Sequence, residues 1–455
     1  MAFIRSISGV RATLGDDMLP RRIADYAAAF SAILPEGGIV VGRDGRPSGE
    51  WIEHIVCGTL SACGRNVVRL GVVPTPTVQL FAEREGVAGG IAITASHNPE
   101  QWNGLKFLNG SGIFLDAEEN RRMWDVLDAD GARFVATQQG GYITSAEAPV
   151  ETHINSIFSL PVFAGDAVEM IRSRHFRVVV DAVHCSGSTA IPALLERFGC
   201  EVIPLYCDGS GIFPHTPEPL PEHLGGLARA VAEHKADLGI AVDPDADRLV
   251  LIDETGTPIG EENTVVLAVL AVLGNAALFG AGDDMSVAVN LSTTRAVEDV
   301  AAQFGATVYR TPVGEINVVK AMLEHGSVVG GEGSGGVILP GCHAGRDSLV
   351  GTALVLLVLA QKGLSLSALV DTLPKYTIVK RKKEFQGETA HLFDEVQRNH
   401  ADVESTRADG LKLSFDRSWV HLRASNTEPI VRIIAEAPTR EQAEELVDRF
   451  MRSIP

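Results

Sequence analysis

Short apolar segments that end in small or polar turns and lead into helical periodicity recur three times along this chain. They lie at residues 38–42, 176–181 and 285–290. Strands and helices that alternate at this spacing are typical of α/β units with parallel strand pairing. The recurrence predicts three related, mixed-sheet α/β domains instead of one large sheet.

The pattern changes after about residue 371, where strand-like segments follow one another closely. Helical patterns near residues 391–398 and 440–454 accompany them. This arrangement favours an antiparallel sheet with helices on one face, and so predicts a fourth, α+β domain. The predicted strands are 376–382, 411–415, 419–423 and 430–435. The predicted domains are 1–150, 151–255, 256–368 and 369–455.

Charge and hydropathy argue against several classes of partner. A formal net charge of −19 over 455 residues disfavours nucleic acid and anionic membranes, which select basic surfaces. The most apolar runs, 265–273 and 349–360, are shorter than the roughly 18 residues that suggest a membrane span, and predict buried helices. Six cysteines without a C-x-x-C pair and an N-terminus without a long apolar region predict reduced thiols, no secretion signal and a cytoplasmic location.

A candidate reaction centre lies in the segment 89–107, where a short apolar strand at 91–94 ends in Ala95 to Pro99. Ligands of open α/β sheets bind beyond the carboxyl ends of strands, so Ser96 is a candidate for group transfer. Lys106 is a candidate for proton transfer or phosphate contact. Two alternatives stay open: the S-H-N-P sequence is also typical of a turn that caps a helix, and His97 is also compatible with a structural hydrogen bond to the backbone.

An acidic triplet, Asp243, Asp245 and Asp247, follows the predicted strand 238–242 and precedes Arg248. Three carboxylates at alternate positions share one side of an extended segment and repel one another unless a cation lies between them. Oxygen ligands of this kind suit Mg²⁺. The alternative is a polar loop with solvated acids; the twelve-residue pattern of an EF-hand is missing.

Two further loops carry candidate ligand-binding residues. The glycine-rich loop 330–336 places Glu332 and Ser334 two residues apart, so that both can hold hydroxyl groups of one ligand, although a flexible turn is the alternative. It lacks the spacing of a dinucleotide fingerprint and the Gly-Lys-Ser/Thr of a P-loop.

The loop 423–429 joins two strands of the last predicted domain. It combines an arginine, hydroxyls and backbone amides as in an anion nest, although an ordinary hairpin loop is the alternative. Arg432, on the next strand, can point the same way. Arg11 is a further candidate phosphate contact, or a surface residue. The candidate anion-binding residues here are Arg423, Ser425, Asn426, Thr427 and Arg432.

Taken together, the motifs SGVR, TASHNP, DPDADR, GEGSGG and RASNTEP resemble those of the α-D-phosphohexomutase family, in family order and across the whole chain. The resemblance implies four domains arranged around a central cleft. It also implies that Ser96 carries a phosphate, and that one Mg²⁺ per chain is held beside it by Ser96, Asp243, Asp245 and Asp247.

The implied reaction is an intramolecular phosphotransfer on a hexose or hexosamine phosphate. Phosphorylated Ser96 donates its phosphoryl group, a bisphosphorylated hexose forms as intermediate and activator, and the serine takes back the other phosphate. Charge stabilisation and alignment dominate phosphoryl transfer, so Arg11, Lys106 and Arg248 are expected around the transferring group, with His97 beside the serine. The substrate is expected to be held by Glu332, Ser334 and the distal phosphate loop.

Within the family, the opening SISGVRATLG and the sugar loop followed by Gly345-Arg346-Asp347 are most similar to the phosphoglucosamine mutase branch. Gly336 and Glu315 stand where phosphomannomutase/phosphoglucomutase members carry histidine, and Ala12 stands where a glycine is usual. An acidic Glu315 favours the ammonium group of glucosamine 6-phosphate. The alternatives are a phosphomannomutase/phosphoglucomutase and, more remotely, a serine-dependent sugar phosphatase or a non-catalytic sugar-phosphate binding protein. A monomer or homodimer is expected.

Overall fold

The computed structural model describes residues 3–136, 139–280, 282, 284–424 and 429–454. Four sheets are present in these parts of the chain, and each is built from one contiguous segment.

The first sheet has seven strands in the order β1-β2-β6-β5-β3-β4-β7. Its β3, β4, β5 and β7 pair in parallel, whereas β1, β2, β6 and β5 form an antiparallel edge. The elements are β1 (Phe3–Ser6), β2 (Gly9–Thr13), α1 (Pro20–Ile33), β3 (Gly38–Arg43), α2 (Gly49–Ala62), β4 (Val67–Val72), α3 (Thr75–Ala82), β5 (Val87–Ile93), β6 (Trp102–Asn109), α4 (Ala117–Asp128) and β7 (Ile143–Ser145).

The second sheet has four strands in the order β11-β10-β8-β9, with one antiparallel edge strand, β11. Its central strand, β10, has no exposed residue. The elements are α5 (Pro149–Phe158), α6 (Ala167–Ser173), β8 (Arg177–Asp181), α7 (Gly187–Arg197), β9 (Glu201–Tyr206), α8 (Gly225–His234), β10 (Leu238–Val242) and β11 (Leu249–Asp253).

The third sheet is mixed as well, with five strands in the order β13-β12-β14-β15-β16. The elements are α9 (Glu261–Leu273), β12 (Ser286–Asn290), α10 (Ala296–Ala302), β13 (Thr307–Thr311), α11 (Glu315–His325), β14 (Val329–Glu332), β15 (Gly336–Leu339), β16 (His343–Arg346), α12 (Ser348–Lys362) and α13 (Leu366–Asp371).

The fourth sheet is wholly antiparallel, in the order β17-β21-β20-β19-β18. Two amphipathic helices contribute buried apolar residues to the core of this sheet. The elements are β17 (Thr377–Glu384), α14 (Thr389–Arg398), β18 (Glu404–Thr406), β19 (Leu411–Ser414), β20 (Trp419–Ala424), β21 (Ile430–Ala437) and α15 (Arg440–Ser453).

The predicted fold class is therefore confirmed: three mixed α/β units are followed by an α+β unit with an antiparallel sheet. The predicted strand 238–242 has the observed bounds of β10, and the other predicted strands differ by a few residues at their ends. The pattern along the chain did not predict β6, which returns antiparallel to β5 and closes the first candidate loop.

The two most apolar segments of the sequence form α9 and α12, which pack against each other. Their residues belong to one apolar core that the second and third sheets share, so both predictions of buried helices are confirmed. None of the helices in the described ranges is long and apolar enough to cross a bilayer. All six cysteines are free thiols, as predicted.

Candidate active site

Ser96 lies in the turn that follows β5, where its backbone adopts a left-handed conformation with φ of 51°. Its residue exposure is 1 %. Arg46, which is fully buried, holds the turn from beneath: its Nη2 donates to the carbonyl oxygens of Ser96 at 2.7 Å and Asn98 at 2.6 Å. The chain then enters β6 and not a helix, so the alternative of a helix cap is wrong. Ser96 Oγ is thus presented from a rigid turn.

Lys106 reaches the same place from β6, where it is the cross-strand partner of Ala92. Its Nζ donates to Oδ2 of Asp245 at 2.6 Å and to Oδ2 of Asp247 at 3.1 Å. Although burial alone lowers the pKa of Lys106, these two carboxylates raise it above its ordinary value. Lys106 is therefore a buried cation, suited to charge stabilisation.

The acidic triplet follows β10 directly, and its three side chains are buried. Asp243 is held by the backbone: its Oδ1 accepts from the amides of Asp247 at 3.2 Å and Arg248 at 3.1 Å. Its Oδ2 accepts from Ser96 Oγ at 3.0 Å. The candidate nucleophile and the candidate metal loop, 147 positions apart in the chain, therefore touch.

The remaining oxygens of the triplet fit a divalent cation. Oδ1 of Asp245 and Oδ1 of Asp247 are buried and accept no hydrogen bond from the described residues. One ligand atom of each aspartate lies within 4.8 Å of the others. Because buried polar groups are normally paired, and oxygen donors suit Mg²⁺, these residues form a site that fits the predicted ion.

The pKa values of the triplet reflect the burial of three neighbouring carboxylates and the cations beside them. Burial raises the pKa of Asp243 well above its ordinary value, and the neighbouring carboxylates of Asp247 and Asp245 raise it further. The pKa of Asp247 shifts the other way: burial opposes the shift, but Arg346 and Lys106 hold this pKa far below its ordinary value.

Arg346 connects the metal loop to the sugar loop. Its Nη2 lies 2.7 Å from Oδ2 of Asp247, its Nη1 lies 2.7 Å from Oε2 of Glu332, and its Nε lies 3.0 Å from Oε2 of Glu315. Burial alone lowers the pKa of Arg346, but Asp247 and Glu332 raise it well above its ordinary value. The sequence suggested Arg346 only as a mark of resemblance, so its role in the site was missed.

Glu332 and Glu315, both predicted to hold substrate, already accept several hydrogen bonds from other residues of the chain. Besides Arg346, Glu332 accepts through Oε1 from Asn290 Nδ2 at 2.8 Å and from the amide of Gly314 at 3.1 Å. Glu315 accepts through Oε1 from Gln79 Nε2 at 3.0 Å and from the backbone amide of Arg346 at 3.2 Å. An ionised carboxylate offers about four lone-pair sites, so each retains capacity for one more donor.

The partly buried Ser334 lies in the turn between β14 and β15, two residues after Glu332. Gly335, beside it, adopts φ of +88°, and a Cβ there would lie 2.4 Å from the carbonyl oxygen of Leu249. Close packing against Leu249 therefore restricts the residue at this position of the turn to glycine.

A cavity of about 170 Å³ opens beside Lys106, Arg346 and the two glutamates; Ser96, His97, Ser334 and the acidic triplet are not among its lining residues. Its wall carries the cations Arg11, Lys106, Arg248 and Arg346 and the acids Glu315 and Glu332. Arg11 lies on β2 and donates from Nη1 to Oδ1 of Asn98 at 3.1 Å, so it belongs to this wall and not to the open surface.

His97 is the neutral group next to the candidate nucleophile. Its Nδ1 lies 3.3 Å from Ser96 Oγ and its Nε2 lies 3.8 Å from Oε1 of Glu218. Burial lowers the pKa of His97 to about 2, with Arg248 and Arg11 contributing by repulsion. The partners of this ring are side chains, whereas the alternative stated above was a hydrogen bond to the backbone.

The distal residues lie outside the wall of this cavity. Arg423 and Arg432 are cross-strand partners on β20 and β21, and their side chains therefore share one face of the fourth sheet. Nε of Arg423 lies 3.0 Å from Oδ2 of Asp409, and the same oxygen accepts from the amide of Val313, which lines the cavity. Ser425, Asn426 and Thr427 lie outside the described residues.

Four family models match the chain in order. They are described as Phosphoglucomutase/phosphomannomutase, alpha/beta/alpha domain I over residues 4–133, domain II over 153–256, domain III over 264–376, and the C-terminal domain over 378–453. The boundaries predicted from the sequence stay a proposal.

Two curated relatives are similar over nearly their whole length. A phosphoglucomutase/phosphomannomutase of Thermococcus kodakarensis is 34% identical over 97% of this chain and 96% of its own. A protein of Methanopyrus kandleri named "Probable phosphoglucosamine mutase" is 34% identical over 98% of this chain and 96% of its own.

Among solved structures, a phosphoglucomutase/phosphomannomutase family protein from Burkholderia thailandensis has the same fold, with a TM-score of 0.81. It is 24% identical and covers 99% of this chain and 97% of its own.

Proposed function

The chain belongs to the phosphoglucomutase/phosphomannomutase family, the α-D-phosphohexomutases, and on that premise we propose that it interconverts glucosamine 6-phosphate and glucosamine 1-phosphate. The activity at the level of the family, an isomerase that moves phosphate on a hexose, is shown by the four matched domains and the curated relatives. The substrate, the phosphoserine and the bisphosphorylated intermediate are our proposal.

The observation that carries the proposal is the contact between Ser96 Oγ and Oδ2 of Asp243 at 3.0 Å. Beside it lie two oxygens, of Asp245 and Asp247, that have no partner within the described ranges. We assign the Mg²⁺ site to Asp243, Asp245, Asp247 and an oxygen on Ser96. When bound there, Mg²⁺ neutralises charge on the transferring phosphoryl group.

The reaction begins with a phosphate on Ser96 and a hexosamine monophosphate in the cavity. The bond between phosphorus and Ser96 Oγ breaks as a bond forms between phosphorus and the free hydroxyl oxygen of the sugar. Lys106, Arg11 and Arg248 stabilise the charge of the moving group, because alignment and electrostatics dominate this chemistry. The bisphosphorylated sugar then turns, and its other phosphate passes to Ser96 Oγ.

In each transfer the attacking hydroxyl oxygen loses a proton and the leaving oxygen takes one up. Lys106 is protonated, so it does not accept. His97 is uncharged at neutral pH and lies 3.3 Å from Ser96 Oγ, and the negative charge of the phosphoryl group raises the affinity of its ring for a proton. We therefore assign the proton at Ser96 Oγ to His97: beside the phosphate the ring holds a proton and donates it to the leaving Oγ in the first transfer, and it accepts the proton back when Oγ attacks in the second. The sugar hydroxyl exchanges its proton with solvent.

Two acids support an amino sugar as substrate. Glu315 and Glu332 line the cavity, and each has capacity for one more donor, such as a sugar ammonium or hydroxyl. We assign hydroxyl binding also to Ser334, and the distal phosphate to Arg423, Ser425, Asn426, Thr427 and Arg432. A phosphomannomutase/phosphoglucomutase is the second candidate, because a relative of that name is equally identical, at 34%.

A substrate panel tests the proposal. Glucosamine, glucose and mannose 6-phosphates are incubated with the enzyme and Mg²⁺, and the 1-phosphates are followed by phosphorus NMR. Glucosamine 6-phosphate is expected to have the highest kcat/KM, and a trace of hexose 1,6-bisphosphate to shorten any lag. If glucosamine 6-phosphate ranks last, the substrate assignment is wrong; release of inorganic phosphate in place of a 1-phosphate would support the phosphatase alternative.

A further inference from the structure

A second cluster of metal-ligating side chains lies away from the cavity, where three parts of the chain meet. One ligand atom each of His153, Cys342 and Asp347 lies within 4.8 Å of the others. His153 belongs to α5, Cys342 to the turn after β15, and Asp347 caps α12. Nothing in the phosphotransfer mechanism uses these residues.

A second imidazole, that of His343, lies beside this group and contacts Asp347 from outside it. Nε2 of His343 lies 3.0 Å from Oδ2 of Asp347, and Nε2 of His153 lies 2.8 Å from the same oxygen. The second ring nitrogen of His343, Nδ1, is buried without a hydrogen-bond partner among the described residues. The hydrogen bonds of the cluster alone therefore leave this imidazole incompletely paired.

Each of the three donor residues also has a second contact with the protein, as metal ligands usually do. Nδ1 of His153 lies 3.0 Å from Thr77 Oγ1 and Ser156 Oγ lies 3.2 Å from Cys342 Sγ. Oδ1 of Asp347 accepts from the amides of Leu349 at 2.8 Å and Val350 at 3.3 Å. Second contacts of this kind orient metal ligands and fix the histidine tautomer.

We propose that His153, Cys342 and Asp347 form a zinc site that joins the second and third domains, with a solvent oxygen as the fourth ligand and His343 hydrogen-bonded to Asp347. An imidazole, a thiolate, a carboxylate and a solvent oxygen suit tetrahedral Zn²⁺, and one thiolate with one carboxylate balances its two positive charges. On binding, the thiol of Cys342 releases its proton to solvent. The Nε2 proton of His153 is replaced by the metal, and Nδ1–H then donates to Thr77 Oγ1.

The site would act on the architecture and not on the sugar. Thr77, His153 and Asp347 fall in the segments matched by the first, second and third family domains. A bound ion would therefore cross-link the second and third domains, and the hydrogen bond between His153 and Thr77 would connect it to the first. Asp347 directly follows Arg346, which contacts three carboxylates of the candidate active site. The proposal does not depend on which sugar the enzyme converts.

Metal analysis of the full chain tests the zinc site. The protein is produced with zinc in the medium and dialysed against excess Mg²⁺, and its metal content is measured by inductively coupled plasma mass spectrometry. About one zinc per chain is expected in the wild type and in Cys63→Ser, a matched thiol control elsewhere in the first domain. Cys342→Ser is expected to lose at least nine-tenths of it.

Two further arms locate the ion. Asp245→Asn, which alters the acidic triplet, should keep its zinc, and cobalt-loaded wild type should show a thiolate-to-cobalt charge-transfer band that Cys342→Ser lacks. A chain without zinc, equal zinc in Cys342→Ser and Cys63→Ser, loss of zinc in Asp245→Asn, or cobalt without that band would overturn the proposal. The cluster would then be a hydrogen-bond network only.

Discussion

The guanidinium of Arg346 lies 2.7 Å from the carboxylate of Asp247, although 99 positions separate the two residues along the chain. The contact occupies Oδ2 of Asp247, and Oδ1 has no hydrogen-bond partner among the residues that the structure describes. It thereby sets which carboxylate oxygen faces the site that we assign to Mg²⁺. Since the same guanidinium also holds Glu332 and Glu315, one side chain aligns the metal loop with the sugar loop.

Arg346→Lys is the first test of this role. A lysine keeps the charge but cannot bridge three carboxylates in one plane. We expect the Mg²⁺ concentration for half-maximal activity to rise by about tenfold or more, as is usual when a residue behind a metal ligand is lost, while the chain still folds. The measurement is a Mg²⁺ titration of initial rates.

Arg346→Met tests the contribution of the Arg346 charge to stability, and Arg21→Met is its control. Removal of the charge leaves buried acids unpaired, and we expect the free energy of unfolding to fall by about 3 kcal/mol or more. The side chain of Arg21 is 92% exposed, so Arg21→Met should change neither quantity. An unchanged Mg²⁺ requirement in both Arg346 variants would contradict the positioning role.

The sequence predicted those parts of the site whose chemistry lies within one short segment. The acidic triplet was recognisable because three carboxylates directly follow an apolar strand, and the structure places them together. Ser96 was recognisable for the same reason, at the end of a strand. Local residue types thus indicated the candidate groups, and the resemblance of five motifs predicted that they share one site.

The contacts that position those groups could not be read from local pattern. Arg46 clamps the Ser96 turn from 50 positions away, and its turn looked like an ordinary polar connection after β3. The strand β6 was missed because its glycine and polar residues weaken the strand pattern. Its antiparallel return is nevertheless what brings Lys106 to the triplet, since strand pairing is decided by tertiary contacts.

Ser96→Ala tests the proposed phosphate carrier. Loss of the hydroxyl removes the atom that receives the phosphoryl group, so we expect mutase turnover to fall by at least about 10⁴-fold. Alanine tolerates the turn about as well as serine does, so the thermal midpoint should stay near that of the wild type. Intact-mass measurement should show loss of any phosphate adduct. Ser111→Ala, at an exposed turn, is the control. Full turnover in Ser96→Ala would contradict the mechanism.

Asp245→Ala tests the assignment of the metal site. Its Oδ1 is one of the two unpartnered buried oxygens, and its Oδ2 anchors Lys106 and Thr75. The lost charge stabilisation is several kcal/mol, so we expect activity to fall by at least about 100-fold. A chelator should abolish wild-type activity. Asp371→Ala, at a side chain that is 72% exposed, should behave as the wild type; activity that persists in chelator would rule out the proposed role of the cation.

Glu315→Gln tests the preference for an amino sugar. The amide keeps the shape and the hydrogen bond from Arg346 Nε, but it loses the negative charge that attracts an ammonium. We expect kcat/KM for glucosamine 6-phosphate to fall by roughly tenfold or more relative to that for glucose 6-phosphate, as for a charge-assisted contact of about 1.5–3 kcal/mol. An equal loss for both sugars would show that Glu315 only supports Arg346.

His421→Gln tests a pH-sensitive contact between the third and fourth domains. Nδ1 of His421 lies 2.9 Å from Ser292 Oγ, and its Nε2–H donates to the carbonyl oxygen of Asp409 at 2.5 Å. Burial, together with repulsion from Lys412 and Arg423, lowers the pKa of His421 to about 4. Because the unfolded chain, with a pKa near 6.5, binds this proton more readily, wild-type stability should fall as the pH drops from about 6.5 towards 4, by roughly 3 kcal/mol at most.

Urea unfolding at pH 7.0 and 4.5 should show that loss in the wild type and in His391→Gln, whose side chain is 81% exposed. His421→Gln should be less stable at pH 7.0 but lose much less on acidification, and an equal loss in all three proteins would show that other groups control the acid sensitivity.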